Sequence, residues 1–228
     1  MAFEGLPERL AAVRARIAEL APQPVTIVAV TKGFGVDAIR AALAAGVSDI
    51  GENRVQEALR KQDELEGGEG DAVAARWHLV GHLQRNKARA VAGRFELLHS
   101  LDSMELATEL ERRLDAPLRV LLQVNVAREP QKHGCAPEQA RQLARHVAAQ
   151  HTLRLEGLMT IAPFTADVEV QRRTFRELRV LRDRLQEEEG VWLPTLSMGM
   201  SDDYATAVAE GATVIRLGTA LFGPRREA

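Results

Sequence analysis

Short apolar-rich stretches alternate along the chain with longer stretches in which apolar and polar residues recur at helical spacing. Eight of the apolar stretches are four to nine residues long, which is typical of strands buried in a parallel sheet. They cover residues 25–30, 47–50, 77–80, 95–99, 118–126, 153–161, 193–197 and 213–217. The pattern therefore predicts a chain in which strands and helices alternate.

Amphipathic helices are predicted between these strands and once before the first of them. The helical segments are 1–20, 36–45, 55–65, 104–114, 137–150, 168–189 and 202–210, with one more beginning after Lys87. Gly46 is a C-cap signal for the second segment, and Ser100 and Asp102 are N-cap candidates for the helix that starts at residue 104. Each predicted strand but the last is thus followed by a predicted helix.

Eight strands and seven intervening helices predict an α/β fold, a single (β/α)8 TIM barrel with one extra N-terminal helix. An open, doubly wound sheet is the alternative, but no G-x-G-x-x-G motif follows the first strand and the strand count reaches eight. Residues 66–71 predict a surface loop, not a domain boundary, because the alternation resumes directly after them. We therefore expect one domain over residues 1–228.

Composition narrows the class of protein. The chain is 46% hydrophobic and 27% charged, with a formal net charge of -2 and 4% aromatic residues, so we expect neither a nucleic-acid partner nor a membrane. The first twenty residues are amphipathic and charged, unlike a signal peptide. The single cysteine, Cys135, excludes an internal disulfide and favours a cytoplasmic location. We interpret this cysteine as a small buried residue, the alternative being a redox sensor.

A lysine follows the first apolar stretch, where two glycines open a loop. Lys32 stands before Gly33 and Gly35, at the carboxyl end of the predicted strand, which is where α/β folds bind ligands. A lysine in the mouth of an apolar barrel loses part of the solvation of its ammonium group, and this favours the neutral amine that attacks an aldehyde. The alternative is a lysine that only extends from a strand end into solvent.

The loops after the seventh and eighth strands have the composition of a phosphate site. In TIM barrels these two loops hold phosphate most often, and here residues 196–203 and 215–223 offer glycines, hydroxyl groups and backbone N–H donors. The alternative is that Gly199, Gly218 and Gly223 are only turn residues and that Ser201 only caps a helix. Finding these residues in both loops favours the phosphate interpretation.

Three further residues are candidates at the same edge of the barrel. Arg216 ends an apolar strand, so its guanidinium faces either the barrel mouth or an acid partner such as Glu52. Asn53 either binds a ligand oxygen or caps the helix after it, and His78 is more typical of a hydrogen-bonded core histidine than of a ligand. The histidines and acids show no metal-ligand spacing, so we expect no metal.

Six motifs resemble, in sequence and in order, those of the YggS/PROSC family, the pyridoxal 5′-phosphate (PLP) homeostasis proteins. They are VTK at 30–32, GENRVQE at 51–57, WHLVGHLQRNK at 77–87, GLMT at 157–160, LSMGMSD at 196–202 and IRLGTALFG at 215–223. Together they extend over nearly the whole chain. The family in turn resembles the barrel domain of bacterial alanine racemase.

The resemblance implies roles for residues around PLP. Lys32 is expected to form a Schiff base with the PLP aldehyde, and Arg216 is expected to face the pyridine nitrogen. The residues expected to hold the phosphate are Ser197, Ser201, Gly218 and Thr219, and those expected to line the ring are Asn53 and His78. Because a permanent cation disfavours protonation of the pyridine nitrogen, the ring would be a weaker electron sink than one facing a carboxylate.

The residues leave three functions open. The favoured one is a non-catalytic carrier that holds PLP and serves intracellular PLP (vitamin B6) homeostasis, with PLP-dependent apoenzymes as possible recipients. The second is a PLP-dependent amino-acid racemase-type enzyme. The third is a barrel enzyme that binds a phosphorylated sugar noncovalently and uses Lys32 as a general base.

A racemase needs a second base on the cofactor face opposite the lysine, and in alanine racemases this is a tyrosine from a second domain of the partner chain. The sequence ends five residues after Gly223, and its single tyrosine is Tyr204, next to the predicted phosphate loop. We therefore expect negligible racemase or transaminase turnover. Since the racemase dimer interface includes that second domain, we also expect a monomer.

Overall fold

The described part of this computed structural model, residues 3–67 and 75–224, folds around a closed barrel of eight parallel strands. The strands are β1 (Thr26–Val30), β2 (Asp49–Glu52), β3 (Arg76–Leu79), β4 (Leu97–Leu101), β5 (Leu118–Gln123), β6 (Leu153–Met159), β7 (Thr195–Ser197) and β8 (Val214–Leu217). Each strand pairs with its sequence neighbours, and β8 pairs with β1 to close the barrel. The predicted (β/α)8 fold is confirmed.

One helix precedes the first strand, and the other helices follow strands along the chain. They are α1 (Leu6–Leu20), α2 (Val36–Ala44), α3 (Val55–Glu66), α4 (Met104–Arg113), α5 (Ala140–Ala148), α6 (Val168–Glu189), α7 (Tyr204–Ala209) and α8 (Thr219–Phe222). A 3₁₀ helix, Arg85–Val91, stands after β3 where an α-helix was predicted. Within the described ranges, no helix combines the length and apolar character needed to cross a membrane.

The main hydrophobic core lies between the strands and the helices, and a second, smaller cluster of Leu97, Leu121 and Met159 lies apart from it. Side chains alternate between the two faces along a strand, so every second residue of a strand faces the barrel interior instead of the helices. Gly51 is one of these inward-facing residues, because a Cβ there would lie 2.8 Å from Cγ1 of Val28. Val28 therefore leaves no room for a side chain at position 51.

The extra helix α1 packs against α7 and against α8, the helix that follows β8. Its buried residues, Leu6, Leu10, Val13 and Ile17, recur at helical spacing and form one apolar stripe. This helix contacts both α7 and α8, and the Nε of Arg9 donates to the carbonyl oxygen of Leu221 in α8 at 2.6 Å. The N-terminal helix thus packs against and hydrogen-bonds to the segment that follows the last strand.

Boundaries differ from the predictions where tertiary contacts decide them. The second strand is 49–52 instead of 47–50, and the fifth ends at Gln123 because Val124 leaves the sheet to form an isolated bridge with Cys135. The predicted N-caps Ser100 and Asp102 are wrong, since Ser103 caps α4 and accepts from the N–H of Leu106. Most of the predicted loop 66–71, from residue 68 on, lies outside the described residues.

Candidate functional site

The carboxyl ends of β1, β2 and β8 bring the lysine loop and the predicted phosphate loops together. Lys32 is half-buried and lies two residues after Val30, the last residue of β1. Val28 pairs with Arg216 across β1 and β8, and an added Cβ on Gly218 would lie 3.6 Å from the Val30 carbonyl oxygen. The lysine loop and the start of α8 therefore adjoin one another at the barrel mouth.

A buried ionic cluster holds the backbone on both sides of Lys32. The fully buried ammonium group of Lys61, in α3, donates to the Thr31 carbonyl at 2.8 Å, to Oε1 of Glu52 at 2.6 Å and to Oε1 of Glu57 at 2.8 Å. The same Glu57 oxygen accepts from the N–H of Gly33 at 2.8 Å. The residue before Lys32 and the residue after it are thus tied to one lysine–carboxylate cluster.

The pKa values of the two carboxyl groups in this cluster are shifted in opposite directions. Burial raises the pKa of Glu52 against the hydrogen bonds from Lys61 and Thr31, which lower it. Burial also acts to raise the pKa of Glu57, but there the hydrogen bonds from Lys61 and the Gly33 N–H outweigh burial, so the pKa is lowered. The Oε2 atom of Glu52 is buried without a hydrogen-bond partner among the described residues. Glu57 is therefore the more firmly ionised partner of Lys61.

The loops after β7 and β8 converge on one oxygen. The N–H groups of Gly218 and Ala220 both point to Oγ of Ser201, at 3.2 and 3.1 Å. Gly199 begins this turn with φ +94°, and a Cβ there would lie 2.6 Å from Cβ of Ala207 in α7. Only glycine fits that position. The predicted phosphate loops thus form a compact site in which backbone donors face an oxygen acceptor.

Arg216 lies inside the barrel and is held by two acceptors. Its NH1 group donates to Oγ of Ser197 at 2.7 Å, and its NH2 group donates to the Thr160 carbonyl at 2.9 Å. Burial lowers the pKa of the guanidinium to about 10, which leaves it charged at neutral pH. The proposed pairing with Glu52 is wrong, because that carboxylate is bonded to Lys61 and Thr31 instead.

A chain of buried hydrogen bonds continues from Arg216 across the barrel. Oγ of Ser197 lies 2.8 Å from Nδ1 of His99, and Nε2 of His99 lies 2.9 Å from Nδ1 of His78. Nε2 of His78 lies 2.9 Å from Oδ1 of Asp49, whose other oxygen accepts from Arg76 at 2.5 Å. The chain joins a cation near the carboxyl ends of the strands to an ion pair at their amino ends.

The charges at the two ends of this chain fix the direction of the hydrogen bonds there. Burial, with the nearby charges of His78 and Arg216, lowers the pKa of His99 well below 6.5, so the ring is neutral. Burial acts to raise the pKa of Asp49, but hydrogen bonds from His78 and Arg76 bring it down to about 2. Since a guanidinium can only donate and a carboxylate can only accept, we assign donation from Arg216 to Ser197 at one end of the chain and from His78 to Asp49 at the other.

The remaining candidates take different places. His78 is buried and bonded on both ring nitrogens, as the interpretation of a core histidine predicted. Asn53 is half-buried after β2, and Arg54, not Asn53, is the N-cap of α3, so the capping alternative is wrong. Thr219 is exposed as the first residue of α8. Ser197 is fully buried and its hydroxyl is bonded to Arg216 and His99, not to the backbone N–H groups that Ser201 accepts from.

Comparison with known proteins identifies the family. The sequence model of the protein family described as alanine racemase, N-terminal domain, matches residues 8–226 of this chain. The pyridoxal phosphate homeostasis protein of Pseudomonas aeruginosa is 44% identical over 229 residues, which cover 96% of each chain. That of Escherichia coli strain K12 is 37% identical over 233 residues, covering 96% of this chain and 97% of the relative. This chain belongs to the pyridoxal phosphate homeostasis protein family.

Solved structures of related proteins separate this family from the racemases. PipY of Synechococcus elongatus, solved with PLP bound, is 39% identical with a TM-score of 0.85, covering 96% of this chain and 100% of PipY. An alanine racemase of Clostridium difficile shares the fold with a TM-score of 0.74 at 14% identity, and the match covers 60% of the racemase. In this member of the homeostasis family, the likeness to racemases therefore concerns the barrel alone.

Several residues of this site were absent from the sequence-based candidates. Asp49, Lys61, Glu57, His99 and Thr160 were assigned no role. Lys61 could have been found, because it falls on the same helical face as the buried Val55, Ala58 and Leu65, where a charged residue is unexpected. The His78–His99 contact depends on the register between β3 and β4, which no local pattern in this family member's sequence indicates.

Proposed function

We propose that this protein is a non-catalytic carrier that holds PLP at the mouth of its barrel, as a Schiff base on Lys32, and serves intracellular PLP homeostasis. The observation that carries the proposal is that β1, which the Lys32 loop follows, pairs with β8, which leads into the Gly218–Ser201 oxygen site. The homeostasis relatives and the PLP-bound PipY, both similar over nearly the whole chain, support the same ligand.

The chemistry of the residues present fits PLP. The phosphate needs several donors, and the converging N–H groups of Gly218 and Ala220, with the Ser201 hydroxyl and the exposed Thr219, supply them. The aldehyde needs an amine, which Lys32 supplies. When bound, PLP contributes a carbonyl carbon that condenses with an amine and releases one water. We assign Asn53 to the rim of the ring site, since it follows β2 at the same level as the lysine loop.

Among the four lysines of the chain, structure favours Lys32 as the attachment point. They are Lys32, Lys61, Lys87 and Lys132. Lys61 is fully buried and bonded to two carboxylates. Lys132 donates to the Ala162 carbonyl and pairs with Glu129. Only Lys32 follows a barrel strand directly, beside the oxygen site.

The charge on Arg216 supports a carrier over a catalyst. A guanidinium that remains charged at neutral pH does not protonate a pyridine nitrogen, so a ring facing it stabilises carbanions weakly. We assign Ser197 to orienting this guanidinium, and His78 to supporting it from below through His99. This arrangement keeps the cofactor in place and leaves its reactivity low.

The test is to add PLP to the purified protein, record the visible spectrum, reduce with borohydride and map the modified peptide by mass spectrometry. We expect a yellow complex and a single reduced adduct on Lys32. The matched variants are Lys32→Ala, which should abolish both signals, and Lys87→Ala, which should leave both unchanged. A colourless protein, or an adduct on another lysine that persists in Lys32→Ala, would contradict the proposal.

Turnover is tested separately on the same complex. With amino acids added, the exchange of the α-proton for deuterium is followed by NMR. We expect no exchange at rates typical of enzymes, about 1 s⁻¹ or more. Exchange at such rates that is lost in Lys32→Ala would establish the racemase-type alternative and overturn the carrier role.

We further propose that residues 1–228 act as one PLP-binding unit and that the protein is a monomer in the cytoplasm, with PLP-dependent apoenzymes as the recipients of its cofactor. Sedimentation of the PLP-loaded protein measures the oligomeric state. A stable dimer would refute the monomer.

A further inference from the structure

Three side chains that the sequence analysis assigned to no site lie together at the carboxyl edge of the barrel. His82 follows β3, Asp102 follows β4, and His133 belongs to the loop after β5. One nitrogen or oxygen atom from each residue lies within 4.8 Å of those from the other two. The residues are 20 and 31 positions apart in the chain, so their meeting depends on the barrel and leaves no local spacing motif.

The distances within this cluster suit ligands that share one metal ion. Nδ1 of His82 lies 3.2 Å from Oδ2 of Asp102. Two ligand atoms at about 2.1 Å from one zinc-like ion are about 3.0–3.4 Å apart for ordinary bond angles. The rings of His82 and His133 stack with their centroids 3.9 Å apart and their planes at 7°. Because an imidazole binds a metal ion in the plane of its ring, these two exposed side chains would rotate out of the parallel stack to reach one ion beside the carboxylate.

The backbone that presents these side chains is held in place. The carbonyl of Gly81, next to His82, accepts from Oγ of Ser100 at 2.6 Å. The carbonyl of His133 itself accepts from Nε2 of Gln123 at 3.0 Å. Asp102 directly follows Leu101, the last residue of β4. Ligands carried on fixed backbone lose little conformational entropy when they bind a metal ion.

The ligand set selects a class of metal. Two imidazoles and one carboxylate suit zinc, copper, nickel, cobalt or iron and suit magnesium or calcium poorly, because the latter prefer oxygen alone. The cluster also borders an open recess of about 550 Å³, whose lining includes Arg85 and Glu105, so further coordination positions would face water. Three protein ligands with an open position are the arrangement of an exchangeable or reactive metal site.

We propose that His82, Asp102 and His133 form a binding site for one divalent transition-metal ion, with zinc as the representative ion, on the rim of the barrel mouth. This site shares no residue with the proposed PLP site. The alternative is that His82 and Asp102 form only an ion pair with His133 stacked upon it, and this alternative predicts no saturable metal binding.

Isothermal titration of Zn²⁺ into untagged, chelator-treated protein tests the proposal, with Co²⁺ absorption as a second readout of nitrogen ligation. We expect one equivalent of Zn²⁺ to bind. His82→Ala and His133→Ala should each weaken the affinity at least tenfold and remove the Co²⁺ bands that report nitrogen ligation. The matched control is His151→Ala, which removes an exposed histidine elsewhere and should change neither result.

Each variant is checked by thermal unfolding, and because the substituted histidines are exposed we expect melting temperatures close to that of the original protein. Zn²⁺ binding that is absent, or that survives both substitutions in the cluster, would overturn the proposal. So would an equal loss of affinity in His151→Ala, since it would show dispersed binding to surface histidines. Addition of Mg²⁺ in place of Zn²⁺ should give no measurable heat of binding.

Discussion

Lys61 is a charged residue on the buried face of α3, and the backbone around Lys32 depends on it. Replacing it by methionine keeps most of the volume but leaves Glu52 and Glu57 without their cation. Breaking a buried ion pair in this way costs about 3–5 kcal/mol, because a carboxylate remains buried and unpaired. We expect the free energy of unfolding of Lys61→Met to fall by that amount, as measured by urea denaturation.

Lys87→Met is the control for this substitution, since it removes a lysine of similar size that is not fully buried, and it should change the free energy of unfolding by less than about 0.5 kcal/mol. Adding Glu52→Gln to Lys61→Met should recover part of the loss, because the unpaired acid is then neutral. A Lys61→Met protein as stable as the original would show that the cluster contributes no net stability. Slower PLP capture without a loss of stability would assign Lys61 to positioning alone.

The reactivity of Cys135 depends on the surroundings of its own side chain. Its side chain is buried, and burial, with the nearby charge of Asp102, raises the pKa of the thiol to about 12. Since the thiolate is the reactive form, the native protein should react very slowly with a thiol reagent at pH 8 and completely once unfolded in urea. Rapid labelling of the native protein would restore the redox-sensor alternative.

The N-terminal segment connects two elements of the proposed PLP site. The ring of Phe3 contacts Phe34 in the lysine loop and Phe222 in α8, with centroid distances of 5.8 and 5.6 Å. Phe3→Ala removes the contact with both loops at once, so we expect PLP to bind several-fold more weakly with little change in the reduced adduct's position on Lys32. Equilibrium titration of the visible band measures this effect.

The control for Phe3→Ala is Phe164→Ala, because Phe164 follows β6 and is 95% exposed. Its removal should leave PLP affinity unchanged. If both variants bind PLP equally well, α1 and the residues before it only cover the barrel and do not support the site.

Elements were predictable from sequence to the extent that local patterns determine them. The eight strands followed from apolar stretches, and α1 followed from the spacing of Leu6, Leu10, Val13 and Ile17. The 3₁₀ helix after β3 was not predicted, since its short, basic sequence carries no signal that distinguishes it from a true α-helix. The two-residue shift of β2 arises because pairing with β3 sets the register there.

The site as a whole was predictable only in part. Residues at strand ends, such as Lys32, Arg216 and Ser201, could be nominated because a parallel barrel gathers all strand ends at one edge. Their supporting partners come from distant positions on other strands, as with His99 and Ser197, which are 98 residues apart. Such contacts depend on barrel closure and stagger, which the sequence pattern does not specify.

The buried chain from Arg216 to Asp49 makes the stability of the whole barrel depend on pH. The pKa of Asp49 is about 2 in the folded protein, compared with 3.8 for an ordinary aspartate. Because the folded-state pKa is lowered, the charged carboxylate contributes stability that is fully present above the unfolded-state value and is lost as the pH falls through about 2. The shift corresponds to about 2 kcal/mol.

Asp49→Asn removes the carboxylate at the end of this chain of hydrogen bonds. The stability of the variant should therefore not depend on the titration of residue 49. We expect the variant to be less stable than the original protein by about 2 kcal/mol near pH 6, and the gap to narrow by about 1 kcal/mol near pH 3, where the original protein has lost part of the contribution. Urea unfolding at both pH values measures the gap. The control is Asp183→Asn, which removes a half-exposed carboxylate paired with Arg182 and should change the free energy of unfolding only slightly. If the gap for Asp49→Asn stays constant or widens on acidification, Asp49 is not the ionised acceptor at the end of this chain.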